Sequence, residues 1–159
     1  MTVQITYHNL SRQTFLQGAF VQASGLLLVD YDSEGKARLT LAADQLGLQR
    51  GDPSTSEYVK RLIPMMNPHL TFFGIVTGIP VNKPNCRVYT LTLRVPHRDG
   101  STDSPWDGTY LVYDLHCAVP LTVRWAHRPL PQINDSCFVT GELIGLLRVG
   151  DRQSPLVRV

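Results

Sequence analysis

The second half of the chain alternates between apolar and polar residues with a period of two. Within residues 87–95, Tyr89, Leu91, Leu93 and Val95 fall on one side, and mostly polar residues fall on the other. Such alternation is typical of a β-strand with one buried and one solvent-facing side. The pattern predicts strands at 70–81, 87–95, 109–118, 121–127 and 136–147. The residues predicted to point inward are Tyr89, Leu91, Leu93, Leu111, Tyr113, Leu115, Cys117, Val139 and Leu143; Tyr110, Val112, Asp114 and His116 are predicted to point outward.

The first fifty residues also favour strands. Val3, Ile5 and Tyr7 alternate with polar residues, and apolar stretches follow at 15–21 and 26–31. A turn at 32–35 and a strand at 37–41 complete a predicted hairpin with the stretch before them, and the Gly-Asp-Pro-Ser run at 51–54 ends this region. We therefore expect a β-rich N-terminal extension over residues 1–53.

One helix is predicted, at about residues 54–66. Ser54 and Glu57 have the spacing of a capping box, and Tyr58 and Leu62 lie on one helical face, while Pro64 is expected to end or bend the helix. We expect Ser54 to cap the helix and the Tyr58/Leu62 face to be buried. An amphipathic packing helix and a partner-binding helix are both open interpretations.

Two glycine-bearing strands suggest a small closed barrel, because glycine within a strand marks a bulge or sharp bend. The segment 73–78, Phe-Gly-Ile-Val-Thr-Gly, resembles the first strand of an oligonucleotide/oligosaccharide-binding (OB) fold, and 134–143 resembles its closing strand. The resemblance covers about residues 69–148 and is to single-stranded DNA-binding proteins of the replication protein A and bacterial SSB type. The chain departs from this pattern at one point: OB folds usually have a helix between the third and fourth strands, and here only residues 119–121 separate the two predicted strands.

These features predict a mainly β protein that forms a single domain over residues 1–159. An OB-like five-stranded antiparallel barrel at 69–148 follows the N-terminal extension and a helical segment at 54–68. Residues 149–159 form a C-terminal tail, in which residues 155–159 could be a short edge strand.

The resemblance implies a binding face on the second and third barrel strands and their flanking loops, with arginines for phosphates and aromatic rings for bases. Arg94 and Tyr110 are expected near one rim of the hairpin, with Arg98 in the loop beyond. Arg124 and Trp125, on a predicted strand, would point to opposite faces. Trp125 is interpreted either as core or as exposed, and Trp106 either as a base stacker or as a loop anchor. The predicted nucleic-acid-binding residues are Thr92, Arg94, Arg98, Trp106, Tyr110, His116, Arg124, Trp125 and Arg128; Thr90, His97 and His127 lie beside them.

Composition narrows the class of protein. The chain has 159 residues, 43% of them hydrophobic, and a net charge of +2, which excludes disorder as the main state. No apolar run is long enough for a membrane helix, and the N-terminus lacks signal-peptide features. The cysteines Cys86, Cys117 and Cys137 lack metal-binding spacing and fit reduced thiols. We expect an intracellular protein, nuclear or cytoplasmic, with no membrane partner.

Arginine makes up 12 of the 15 basic residues. Its planar guanidinium suits phosphates and bases. A genome rich in GC would give the same bias, so the arginine content leaves both explanations open.

Nothing in the sequence favours catalysis. The five histidines show no metal-site spacing, and no nucleophile-elbow, phosphate-loop or dinucleotide-binding motif is present. We therefore predict no enzymatic activity, no cofactor and no metal. The leading hypothesis is binding of single-stranded DNA or RNA, with DNA as the first candidate. The alternative is a protein–protein adaptor subunit that docks a partner through the helix at 54–66 or a barrel edge.

Overall fold

The computed structural model describes residues 2–7, 14–60, 67–96, 110–126 and 128–159. Strands account for most of this part of the chain. In order, the elements are β1 (Val3–Tyr7), β2 (Val21–Tyr31), β3 (Ala37–Leu48), α1 (Ser56–Lys60), β4 (His69–Val76), β5 (Val81–Lys83), β6 (Cys86–Pro96), β7 (Tyr110–Pro120), α2 (Val123–Ala126), β8 (Ser136–Val149) and β9 (Arg152–Arg158).

The chain divides into two compact units. The smaller comprises residues 2–30 and 38–66, and the larger comprises 31–37 and 67–159. The N-terminal sheet has the order β1-β3-β2, with β1 parallel to β3. The predicted hairpin is confirmed, but β2 begins only at Val21, because residues 14–20 include a turn whose Gly18 has a φ of 83°. The strand predicted from residue 15 is therefore wrong up to residue 20.

Thr55, not Ser54, caps α1. The Thr55 hydroxyl oxygen accepts a hydrogen bond from the Tyr58 N–H at 3.3 Å. The Ser54 N–H and hydroxyl both donate to the Asp52 carboxylate, at 2.9 and 2.7 Å, and these bonds lower the pKa of Asp52. The predicted cap is wrong because Asp52 holds Ser54 in the turn before the helix. Tyr58 is buried as predicted, and Leu62 lies outside the described residues.

The larger unit is built on a ring of five strands. Its sheet has the order β4-β8-β9-β7-β6-β5, and a further pairing of β4 with β6 closes the ring. Four of the ring's strand pairs are antiparallel, and β7 with β9 is parallel. The second and third predicted strands are confirmed as β6 and β7, which pair from Cys86↔Pro120 to Pro96↔Tyr110.

The ring closes through the C-terminus. The strand predicted at 121–127 is wrong, since the chain forms the short helix α2 there, after Pro120 ends β7. The ring's fifth strand is β9, which lies between β8 and β7 and is therefore not an edge strand. On sequence grounds Pro155 fits only an edge strand, because proline lacks the N–H of an interior strand position.

The inward face of the ring follows the predicted alternation. Tyr89, Leu91, Leu93, Tyr113, Leu115, Cys117 and Leu143 are all buried, and Leu111 and Val139 are half-buried. Gly141 permits the close packing of β8 on β9, because a Cβ there would lie 2.4 Å from the Arg158 carbonyl oxygen. A register shift between Leu143 and Gly145 bends β8, as expected for glycine-bearing strands.

Candidate nucleic-acid interface

Arg94 and Tyr110 meet at one end of the β6–β7 hairpin. The hairpin register pairs Arg94 with Val112 and Pro96 with Tyr110. The Arg94 guanidinium carbon lies 4.3 Å from the centre of the Tyr110 ring, and both side chains are exposed. This is a cation–π contact that holds a charge beside an aromatic ring. The predicted proximity of these two residues at one rim is confirmed.

Thr92 lies further along the same outer face but is engaged within it. Its hydroxyl donates to the Asp114 carboxylate at 2.6 Å, so the Thr77 hydroxyl, 2.9 Å away, is the donor to Thr92. Asp114 is exposed, and its charge repels phosphate. The cationic part of the outer face therefore lies toward Arg94, and Thr92 orients Asp114.

His116 is buried, although its position in the alternation predicted an outward side chain. Only 3% of the residue is exposed, and its Nδ1 lies 3.1 Å from the Thr90 hydroxyl. Burial lowers the pKa of His116, and the Asp114 charge partly opposes this. Both sides of β7 are buried from Leu115 to Val119, so the outward prediction fails there. His116 is therefore no ligand-contact residue in this arrangement.

Arg124, Trp125 and Arg128 lie away from Arg94. Because α2 replaces the predicted strand, the opposite-faces prediction for Arg124 and Trp125 is wrong: the Arg124 guanidinium carbon is 5.9 Å from the Trp125 ring centre. Trp125 is half-buried, and it lines a cavity with Arg128 and Arg87. Arg87 is seven residues from Arg94 on β6, which corresponds to about 23 Å along a strand. The predicted residues thus form two separate groups. Arg98, Trp106, His97 and His127 lie outside the described residues.

Two exposed phenylalanines were missed by the sequence analysis. Phe73 on β4 and Phe138 on β8 are directly opposite each other in the register. Phe73 exposes 62% of its surface to solvent and Phe138 exposes 74%. The neighbouring Phe72 and Phe73 must point to opposite sides of a strand, so the sequence already required one of them to face outward.

The outer face continues across four strands. Ile75 pairs with Ser136 on one side and with Thr92 on the other, and Thr92 pairs with Asp114. A step of two residues along each strand, toward the same end of the sheet, reaches the next set of outward-facing residues. All four are exposed: Phe138 on β8, Phe73 on β4, Arg94 on β6 and Val112 on β7. We call these four residues the outer row. The β4–β6 pairing ends at Ile75↔Thr92, so the strands part at the middle of this row.

The thiols of Cys117 and Cys137 are poorly suited to nucleophilic chemistry. Burial raises the pKa of Cys117 to about 12, with a further contribution from Cys137, and burial also raises the pKa of Cys137. A thiol reacts as its thiolate, which these environments disfavour. Among the described residues, no three His, Cys, Asp or Glu side chains are grouped to hold a metal ion.

No protein-family model, curated protein or solved structure matches this chain. Within the described ranges, none of the helices has the length and apolar character needed to cross a membrane.

Proposed function

We propose that this protein binds single-stranded nucleic acid, with single-stranded DNA as the first candidate, on the outer face of the five-stranded ring. The observation that carries the proposal is the outer row, in which exposed Phe73 and Phe138 lie opposite each other and exposed Arg94, on the next strand, lies over the Tyr110 ring. Aromatic rings stack on bases of any sequence, and guanidinium groups bind the phosphates between them.

The strand order supports an OB-type interpretation of the ring. β8 lies beside β4, followed by β6 and β7, which is the 4-1-2-3 order of a Greek key, and β9 closes the ring. The OB fold is a five-stranded Greek-key barrel that binds oligonucleotides on its second and third strands. Arg94 and Tyr110 belong to the second and third strands of this ring. The short α2 lies between the third and fourth strands, where the family has its helix.

Solvent exposure of the phenylalanines favours a binding role. Packing a large aromatic side chain away from water contributes about 1.5–3 kcal/mol, and Phe73 and Phe138 forgo most of that. A cross-strand pair of aromatic residues contributes only about 0.2–1 kcal/mol, which is less than that loss. A ligand with flat, apolar faces would cover both rings at once.

The test is a fluorescence-anisotropy titration of fluorescein-labelled poly-dT at low and raised salt. We expect affinity to fall as salt rises, through counterion release. Arg94→Ala should weaken binding and reduce the slope of log affinity against log salt by about one. Phe73→Ala should weaken binding by about 1–3 kcal/mol with the slope unchanged, because stacking releases no counterions.

Arg148→Ala is the matched control, since Arg148 is an exposed arginine on β8, about 33 Å along the strand from Phe138. Circular dichroism establishes that each variant is folded. Absence of poly-dT binding at low salt would refute the proposal. So would an Arg94→Ala titration that matches that of Arg148→Ala, and the adaptor hypothesis would then take precedence.

A further inference from the structure

A second candidate site lies at the other end of the β6–β7 hairpin. A cavity of about 440 Å³ is lined by Arg87 from β6, by Trp125 and Val123 from α2, and by Arg128 and Leu130 beyond it. This volume is within the usual range for ligand pockets. Its distance from Arg94, about 23 Å along β6, separates it from the outer row.

The charges around this cavity are positive. Arg87 is oriented by its Nε–H, which donates to the Asn82 side-chain oxygen at 2.9 Å. Arg128 is exposed, and the Arg124 guanidinium lies over the Trp125 ring. Among the described residues, no acidic side chain lines the cavity. Two guanidinium groups therefore line the cavity, and a third lies over the ring of the tryptophan that lines it, so the cavity is electrostatically suited to an anionic partner.

The surface beside these charges is aliphatic. Val123 is 83% exposed and Leu121 is 56% exposed, and both line the cavity together with Val119, Pro120 and Leu130. Branched side chains pack well against another aliphatic or aromatic side chain, whereas a nucleotide site would need more stacking rings and base-directed polar groups. The lining thus combines apolar side chains with two arginines.

We infer that this cavity docks an acidic peptide segment of a partner protein. A bulky apolar side chain of the peptide enters between Val123, Leu130 and the Trp125 ring. Neighbouring Asp or Glu carboxylates of the peptide accept hydrogen bonds from Arg87 and Arg128, which are suited to bidentate pairing. The inference is independent of the outer row and adds a protein-binding site to the nucleic-acid face.

The experiment pans a phage-displayed random peptide library on the full chain, with counter-selection on the Arg87→Ala/Arg128→Ala variant. We expect enrichment of peptides in which Asp or Glu flanks a bulky apolar residue. A fluorescein-labelled enriched peptide should bind Arg128→Ala about tenfold more weakly than wild type, the effect of one charge-assisted hydrogen bond. Arg148→Ala should bind it normally, as should Arg94→Ala.

Three results would overturn the inference: no enrichment over the counter-selected variant, enrichment of peptides without acidic residues, or equal peptide affinity for Arg128→Ala and Arg148→Ala. Poly-dT is titrated against the same proteins. Loss of poly-dT binding in Arg87→Ala/Arg128→Ala, without loss in Arg94→Ala, would assign the cavity to nucleic acid instead. Failure of poly-dT to bind any form, with peptide binding intact, would refute the nucleic-acid proposal alone.

Discussion

Val157 tests whether the C-terminal strand closes the ring. This side chain is fully buried, and its register partners are Leu143 on β8 and Cys117 on β7. Val157→Ala removes two methyl groups, which contribute about 0.8 kcal/mol each when buried. The cavity left behind adds to this loss, so we expect the free energy of unfolding to fall by about 2–3 kcal/mol.

The assay is urea unfolding followed by tryptophan fluorescence. Trp125 lies in the larger unit, so its fluorescence reports the unit that contains the ring. The midpoint should shift while the denaturant slope stays constant, since a point truncation leaves the surface exposed on unfolding nearly unchanged.

Val149→Ala is the matched control, because Val149 lies on β8 with 57% of its surface exposed. We expect this variant to be within about 0.5 kcal/mol of wild type. If Val157→Ala is equally silent, the terminal segment is a loose tail and the closed ring is incorrect.

Two further predictions concern buried polar groups. Tyr58→Phe should destabilise the unit of residues 2–30 and 38–66 by about 1–3 kcal/mol, because the Phe20 N–H donates to the Tyr58 hydroxyl at 2.8 Å and loses its partner in the variant. The measurement is thermal unfolding followed by circular dichroism, with Tyr7→Phe as the control. Equal melting temperatures of the two variants would contradict the prediction. The pKa of His116 is lower in the folded chain than in the unfolded chain, so below about pH 6.5 the unfolded chain binds a proton more readily. The free energy of unfolding is therefore retained above about pH 6.5 and falls as the pH is lowered below it. His116→Gln should flatten that decline in urea titrations over this pH range, and an unchanged pH dependence would show that His116 does not cause it.

The β6–β7 hairpin and one end of its outer face could be predicted from the sequence. Alternation by two is a local property of extended backbone, so it identified the inward residues of both strands. The proximity of Arg94 and Tyr110 was also predictable, because in an antiparallel hairpin the end of the first strand lies beside the start of the second. Only the pairing of these strands was needed for that inference.

The outer row required more than local pattern. Phe73 and Phe138 are far apart in the chain, and their opposition depends on the pairing of β4 with β8. The cavity likewise depends on α2, where a few residues of apparent alternation fit a strand as readily as a helical turn. Long-range strand pairing decided the first arrangement, and the formation of a helical turn at α2 decided the second.

The sequence by itself determined which residues share a side of each strand, since that follows from backbone geometry within a few residues. Tertiary structure decided which strands became neighbours and which sides were covered. His116 has the outward phase of its strand and is nevertheless buried, and β9 contains a proline and nevertheless lies within the ring. The reason is physical: burial and strand pairing are set by groups distant in the chain, whose contacts outweigh the preferences of any short segment.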